Sequence, residues 1–424
     1  MDLKLKKTIL LIIAATLLVF VLSSCDGGTF GLRFEVTDAG AIVTEYVGDA
    51  LEVEIADEYD GVPVIGIKAQ AFRDEAVTKV VVPDTVTSIG AAAFMDCKAL
   101  TEVVIGSGVT EFGDGIFYGC EALTTVNFPE KLESIGKGAF RNCVSLTSIV
   151  FPDSLTSIRE NSLYGCTGLT SVTLPAGVTE IPASYFRDCE SLTTVTLKGD
   201  VTTISDYAFA GCVKLADFSI PSTVETLGDS AFMNCESLTS ITIPEGVKKI
   251  SRQAFYQCTA LTSCTLPSSL KIIAEEAFAH CKAMEVCDLP DGLTTLDEAV
   301  FNNCESLKAV VIPESLTSIP KTAFLDCESL ESLTLHDKID HIGINAFTNC
   351  ESLKAVEIPV LITEIPIGCF AGCVGLTSVT IHDTVTKIPD TAFSGCKGFV
   401  VKTEAGSFAE SWARELGKSV ETIK

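Results

Sequence analysis

The sequence predicts a β-rich solenoid of about 15 coils of about 23 residues, with a parallel sheet, a β-rich N-terminal cap and a short C-terminal capping helix. Three observations carry this reading. Cysteines recur 23 residues apart without one insertion, from Cys97, Cys120 and Cys143 through Cys373 to Cys396. Three residues before each stands a phenylalanine, Phe94 to Phe393, replaced once by Leu163. Three residues after each stands a leucine, Leu100 to Leu376, with Met284 and Phe399 as the exceptions. A fixed period of about 20 to 50 residues marks supersecondary units that bury their apolar faces only by stacking.

One coil shows its parts. In Phe232 to Ile250, residues Leu238, Ile241 and Ile243 face inward around a short strand, since positions two apart share a face. Ser240 and Thr242 therefore face out. Pro244 lacks an N–H and ends the strand, as Pro83, Pro129, Pro175 and Pro267 do elsewhere. Val247 and Ile250 supply a second inward pair. A turn former precedes most of the periodic cysteines, such as Asp96, Gly119 and Asn142, with Gln257 and His280 as exceptions. Seven buried side chains contribute roughly 10–20 kcal/mol per coil. Ordering the backbone costs about 1–2 kcal/mol per residue. A lone coil therefore does not fold, and the array folds only as a stack.

Composition excludes two other classes. A chain that is 47% hydrophobic is not disordered. A net charge of -26, with 30 Lys+Arg against 56 Asp+Glu and no basic stripe, argues against nucleic acid as a partner.

The first residues form three zones: Lys4, Lys6 and Lys7, an apolar run from Ile9 to Leu22, then Leu22-Ser23-Ser24-Cys25. The run is short for a membrane span and reads as a secretory segment. Its ending resembles the bacterial lipobox, which implies cleavage after residue 24, lipidation of Cys25 and an exported protein held to a membrane at the cell surface or facing the periplasm. The rest of the chain contains no further transmembrane run.

The unit Phe-x-x-Cys-x-x-Leu-x-x-Ile-x-Ile-Pro-x-x-Val-x-x-Ile resembles the BspA-like, or treponemal, class of leucine-rich repeat found in bacterial surface proteins. The match runs from about Val62 to Phe399, the first coil fitting after a deletion near Asp74 and Glu75. The expected organisation is a lipoprotein signal peptide at 1–24, a lipidated N-terminus and β cap at 25–61, the solenoid at 62–399 and a C-terminal cap at 400–424. Ser407 to Glu410 reads as a capping box, with Phe408, Trp412 and Leu416 on one helical face ended by Gly417. The resemblance implies non-catalytic binding of an extracellular or envelope protein or glycan. The alternative is a structural envelope scaffold without a dedicated ligand.

In-register rungs hold cysteine Cβ atoms farther apart than a disulfide prefers, so the ladder reads as buried free thiols. Cys264 and Cys287 occupy inward strand positions, and Cys369 replaces the usual alanine. The four histidines, His280, His336, His341 and His382, are too scattered for a zinc triad, although His336 and His341 could approach one edge. No nucleophile, phosphate-binding or dinucleotide motif is present, so neither enzyme activity nor a cofactor is expected. The candidate binding face is the outward hydroxyl rows Ser171, Thr173, Thr194, Thr196, Ser240, Thr242, Ser263 and Thr265, interrupted elsewhere by Asp217, Asp288, Val311 and Glu357. Two acidic ladders, Asp291/Glu314/Asp337 and Glu305/Glu328/Glu351, read as solvated faces, with calcium as the alternative.

Overall fold

The computed structural model describes residues 28–423. The signal segment and Cys25 lie outside these residues. The chain divides into two compact units, the first ending at Ile158 and the second beginning at Arg159. Each is a parallel β-solenoid, and together the described residues make about 17 turns of about 23 residues. That is two more than the 15 coils expected from the sequence.

In the first unit, one ladder of short strands runs through Glu52–Glu54, Lys79–Val81, Glu102–Val104 and Thr125–Asn127, all parallel. A second ladder occupies another wall, through Glu111–Phe112, Ser134–Ile135 and Ser157–Ile158. Alternation explains both: Val80 and Val103 are fully buried, as are Phe112 and Ile135, while their neighbours face water. The N-terminal cap is the strand Leu32–Val36, antiparallel to Ala41–Tyr46, which in turn pairs parallel with Val62–Ile67.

The segment ending at each cysteine forms a third ladder. Ala92, Phe94 and Asp96 donate their N–H groups to the carbonyls of Asp114, Ile116 and Tyr118 in the next coil, at 2.8, 2.9 and 2.7 Å. The residue before the cysteine is left-handed throughout, from Asp96 at φ 58° to Asn349 at φ 59°. Gln257 (φ 59°) and His280 (φ 63°) adopt the same conformation despite lacking a turn former's chemistry. A second left-handed position, four residues earlier, escaped the sequence reading because it carries residues such as Ala92, Tyr207 and Thr322.

The second unit repeats this plan. Its phenylalanines from Phe209 to Phe393 stack with centroids between 5.1 Å, at Phe209–Phe232, and 5.6 Å, at Phe278–Phe301. Trp412 closes the column, its ring 5.7 Å from Phe393. The helix that carries it, Phe408–Glu415, starts where the Ser407 Oγ accepts the Glu410 N–H at 3.0 Å. Glu410 in turn accepts the Gly406 N–H at 2.6 Å. Only Trp412 of the expected apolar face is buried; Phe408 and Leu416 are exposed, because the buried stripe is Ala409, Trp412 and Ala413, at the spacing of adjacent turns.

All seventeen described cysteines are free and buried. Each ladder thiol for which a bond is resolved donates to a backbone carbonyl of the preceding coil, as Cys235 does to Phe209 at 3.3 Å. Desolvation pushes most of these thiols up, Cys258 to about 12. They are packing groups with one weak donor each, unsuited to thiolate chemistry.

Candidate binding face

The eight hydroxyl residues all belong to the second unit. Ser171–Leu174 pairs in register with Thr194–Leu197, placing Ser171 beside Thr194 and Thr173 beside Thr196. Ser240–Thr242 pairs likewise with Ser263–Thr265, placing Ser240 beside Ser263 and Thr242 beside Thr265. All eight point away from the core and are exposed, except half-buried Thr173. Neighbouring threonines are engaged in stacking: the Thr193 and Thr262 hydroxyls donate to the carbonyls of Thr170 and Thr239, at 3.1 and 2.9 Å. The eight candidates make no such bond among the described residues, so their hydroxyls are available to solvent or a ligand.

The two pairs do not form one continuous row. Between them lies Asp217–Ile220, which is not a strand. Thr193, Thr239 and Thr262 donate to the residue one coil earlier at 3.0, 3.2 and 2.9 Å, whereas no backbone bond joins Ala216 to Thr193. Among the described residues, the main chain of Asp217 to Ile220 makes no backbone hydrogen bond at all. Phe218 distinguishes this coil from its neighbours. Other coils place Val195, Ile241, Cys264 or Val310 there, but the Phe218 ring inserts beside the phenylalanine column, 4.8 Å from Phe209 and 5.5 Å from Phe232. Extra volume in a close-packed interior favours displacement of a strand; the ladder is also interrupted at residues 287–289, where a small cysteine, Cys287, holds the equivalent position.

The displacement opens a groove of about 250 Å³ lined by Asp217, Phe218, Ser219, Ile220, Ser240, Ile241 and Thr242. Asp217 and Ser219 are exposed at its rim, while Phe218 and Ile220 form an apolar floor. Sequence reasoning took Asp217 as an interruption of the hydroxyl row and overlooked Ser219. The missed signal was the one phenylalanine at a strand position otherwise held by smaller residues.

The other candidates separate. His336 approaches the Pro313 carbonyl at 3.0 Å, and His341 begins the strand His341–Ile342. His382 stands between Glu404, 3.1 Å from Nδ1, and Glu357, 3.6 Å from Nε2. Those carboxylates approach opposite ring nitrogens and do not converge. Among the described residues no group of three His, Cys, Asp or Glu is placed to hold a metal ion. In the acidic ladders, Glu314 pairs with Lys338 at 2.7 Å and Glu305 with Lys282 at 2.8 Å. The Lys338 ammonium holds the Glu314 carboxyl below its ordinary range.

Comparison with known proteins adds the following. A family model described as BspA type leucine rich repeat region (6 copies) matches residues 65–193, 179–287 and 271–400. The solved structure of a leucine-rich repeat protein from Bacteroides ovatus is 27% identical, with a TM-score of 0.72 over 93% of this chain and 98% of that one. A leucine-rich repeat protein of T. pallidum is 29% identical, with a TM-score of 0.41 over 44% of this chain and 89% of that one. A leucine rich cell surface protein of Faecalibacterium prausnitzii is 26% identical, with a TM-score of 0.39 over 95% of each chain. No curated protein matches the chain.

Proposed function

This chain belongs to the BspA-type leucine-rich repeat family, and from that premise we propose that it is an exported, lipid-anchored protein that binds macromolecules without catalysis. The observation that carries the reading is the sheet face of the second unit. There, among the described residues, eight hydroxyls make no internal hydrogen bond and lie on either side of a groove where the ladder is interrupted. Regular rungs offer no pocket, whereas a broken rung offers shape and unpaired polar groups together. Export and the anchor rest on the N-terminal segment, with Cys25 as the lipidated residue.

The test presents the purified exterior, residues 25–424, to arrays of envelope and extracellular matrix proteins and of glycans. Saturable binding that is abolished by Thr173→Glu, Thr196→Glu and Thr242→Glu supports recognition by this face. No saturable partner favours a spacer or scaffold in the envelope. Palmitate labelling of wild type against Cys25→Ala tests the anchor separately.

A further inference from the structure

We propose that the groove at Asp217–Ile220 takes an extended, basic polypeptide segment of a partner protein, held by main-chain hydrogen bonds. This rests on the binding reading above and narrows it to one class of ligand.

The unpaired main chain comes first. A regular coil satisfies its N–H and C=O groups against the coils before and after it. The segment Asp217–Ile220 makes neither set of bonds. The strand Thr194–Leu197 ends its sheet on the side toward this segment, and Ser240–Thr242 begins the next sheet. Backbone donors and acceptors are thus left without backbone partners over four consecutive residues; an extended chain repeats such groups at about 3.3 Å per residue. Another extended chain presents the complementary series at the same spacing, which is how peptides add to sheet edges.

Shape and composition favour this occupant. At about 250 Å³ the groove is too small to engulf a compact ligand. It suits a short stretch of backbone laid along the floor of Phe218 and Ile220. The outward residues Asp217, Ser219, Ser240 and Thr242 include no aromatic ring on which a sugar could stack. Hydroxyls and main-chain amides instead suit peptide groups and small polar side chains.

Charge sets the sign. Asp217 is exposed and makes no ion pair or hydrogen bond among the described residues, in a chain of net charge -26. A Lys or Arg on the incoming segment would pair with it, and the surrounding negative potential would speed the encounter.

The experiment titrates the full-length protein, kept in detergent, with a fluorescent ten-residue peptide of alternating Lys and Thr. A second titration uses the same peptide N-methylated at alternate residues. Saturable binding at low salt is expected, weakened about tenfold or more by methylation, which removes the donors that pair with a strand edge. Asp217→Asn should weaken the parent peptide by up to about fivefold, the scale of an exposed ion pair. Phe218→Val should let the rung rejoin the ladder, slow amide exchange at Asp217 to Ile220 and abolish binding. Asp217→Asn leaves the interior untouched and keeps the test decisive if Phe218→Val folds poorly. Absence of binding, equal affinity for the methylated peptide, or an unchanged Asp217→Asn would overturn the proposal. If array partners still bind through Thr173, Thr196 and Thr242 while the peptide does not, this inference fails and the general binding reading stands.

Discussion

The Cys212 thiol donates to the carbonyl of Phe186, one coil earlier, across 3.2 Å. The same carbonyl accepts the Cys189 N–H at 3.1 Å, so one oxygen closes its own turn and anchors the next coil. Cysteine suits this position because it is small, apolar and still a donor.

Replacing Cys212 with alanine removes the donor and leaves a small void. The expected loss is about 1–2 kcal/mol, read as a lower urea midpoint at unchanged slope.

Thiol burial also sets an alkaline limit. The folded state holds Cys258 neutral up to about 12, against an ordinary value of 9.0. A raised folded value stabilises the fold fully below the unfolded pKa, and that stabilisation is lost as pH rises through the interval. Each such thiol gives up about 1.4 kcal/mol per pH unit above about 9. Denaturant midpoints should therefore be flat between about pH 7 and 8.5 and fall steeply above, with no reaction of native thiols with a disulfide reagent at neutral pH.

Tyr185 is fully buried, and its hydroxyl has no partner among the described residues. Most coils carry alanine there, such as Ala93 and Ala208. Tyr185→Phe keeps the ring and removes the orphaned group. It should raise stability by about 1 kcal/mol, seen as a higher melting temperature.

Gln257 occupies a left-handed position at φ 59°, where glycine carries no steric penalty. Gln257→Gly should be neutral or stabilising by up to about 1 kcal/mol, while Gln257→Val should destabilise by about 1–2 kcal/mol. Calorimetry of the two variants gives the comparison.

Trp412 covers the end of the phenylalanine column. Trp412→Ala exposes Phe393 and should cost about 3–5 kcal/mol, with amide exchange accelerating first in Val400–Glu404.

The coil was legible because its signals repeat: the spacing of Cys235, Leu238, Ile241 and Ile243 marks the buried positions, and Ser240 and Thr242 mark the outer ones. Two features were hidden. The left-handed residue at Tyr207 or Thr322 is dictated by closure of the turn and is marked by glycine or asparagine in only some coils, such as Gly115 and Asn161. The groove lies in an exceptional coil, the one that places a phenylalanine, Phe218, at this strand position. Periodicity reports what coils share, whereas the groove arises in a coil that differs. Helix burial also went astray at Phe408, because the capping strands, and not the helical pattern alone, decide which stripe faces inward.

The most direct test is hydrogen–deuterium exchange of the protein with and without a partner captured on the arrays. The account expects new protection confined to Asp217–Ile220 and the adjoining strands Thr194–Leu197 and Ser240–Thr242. Protection on the turn wall around Asn234 and Gln257, with the sheet face unchanged, would contradict it.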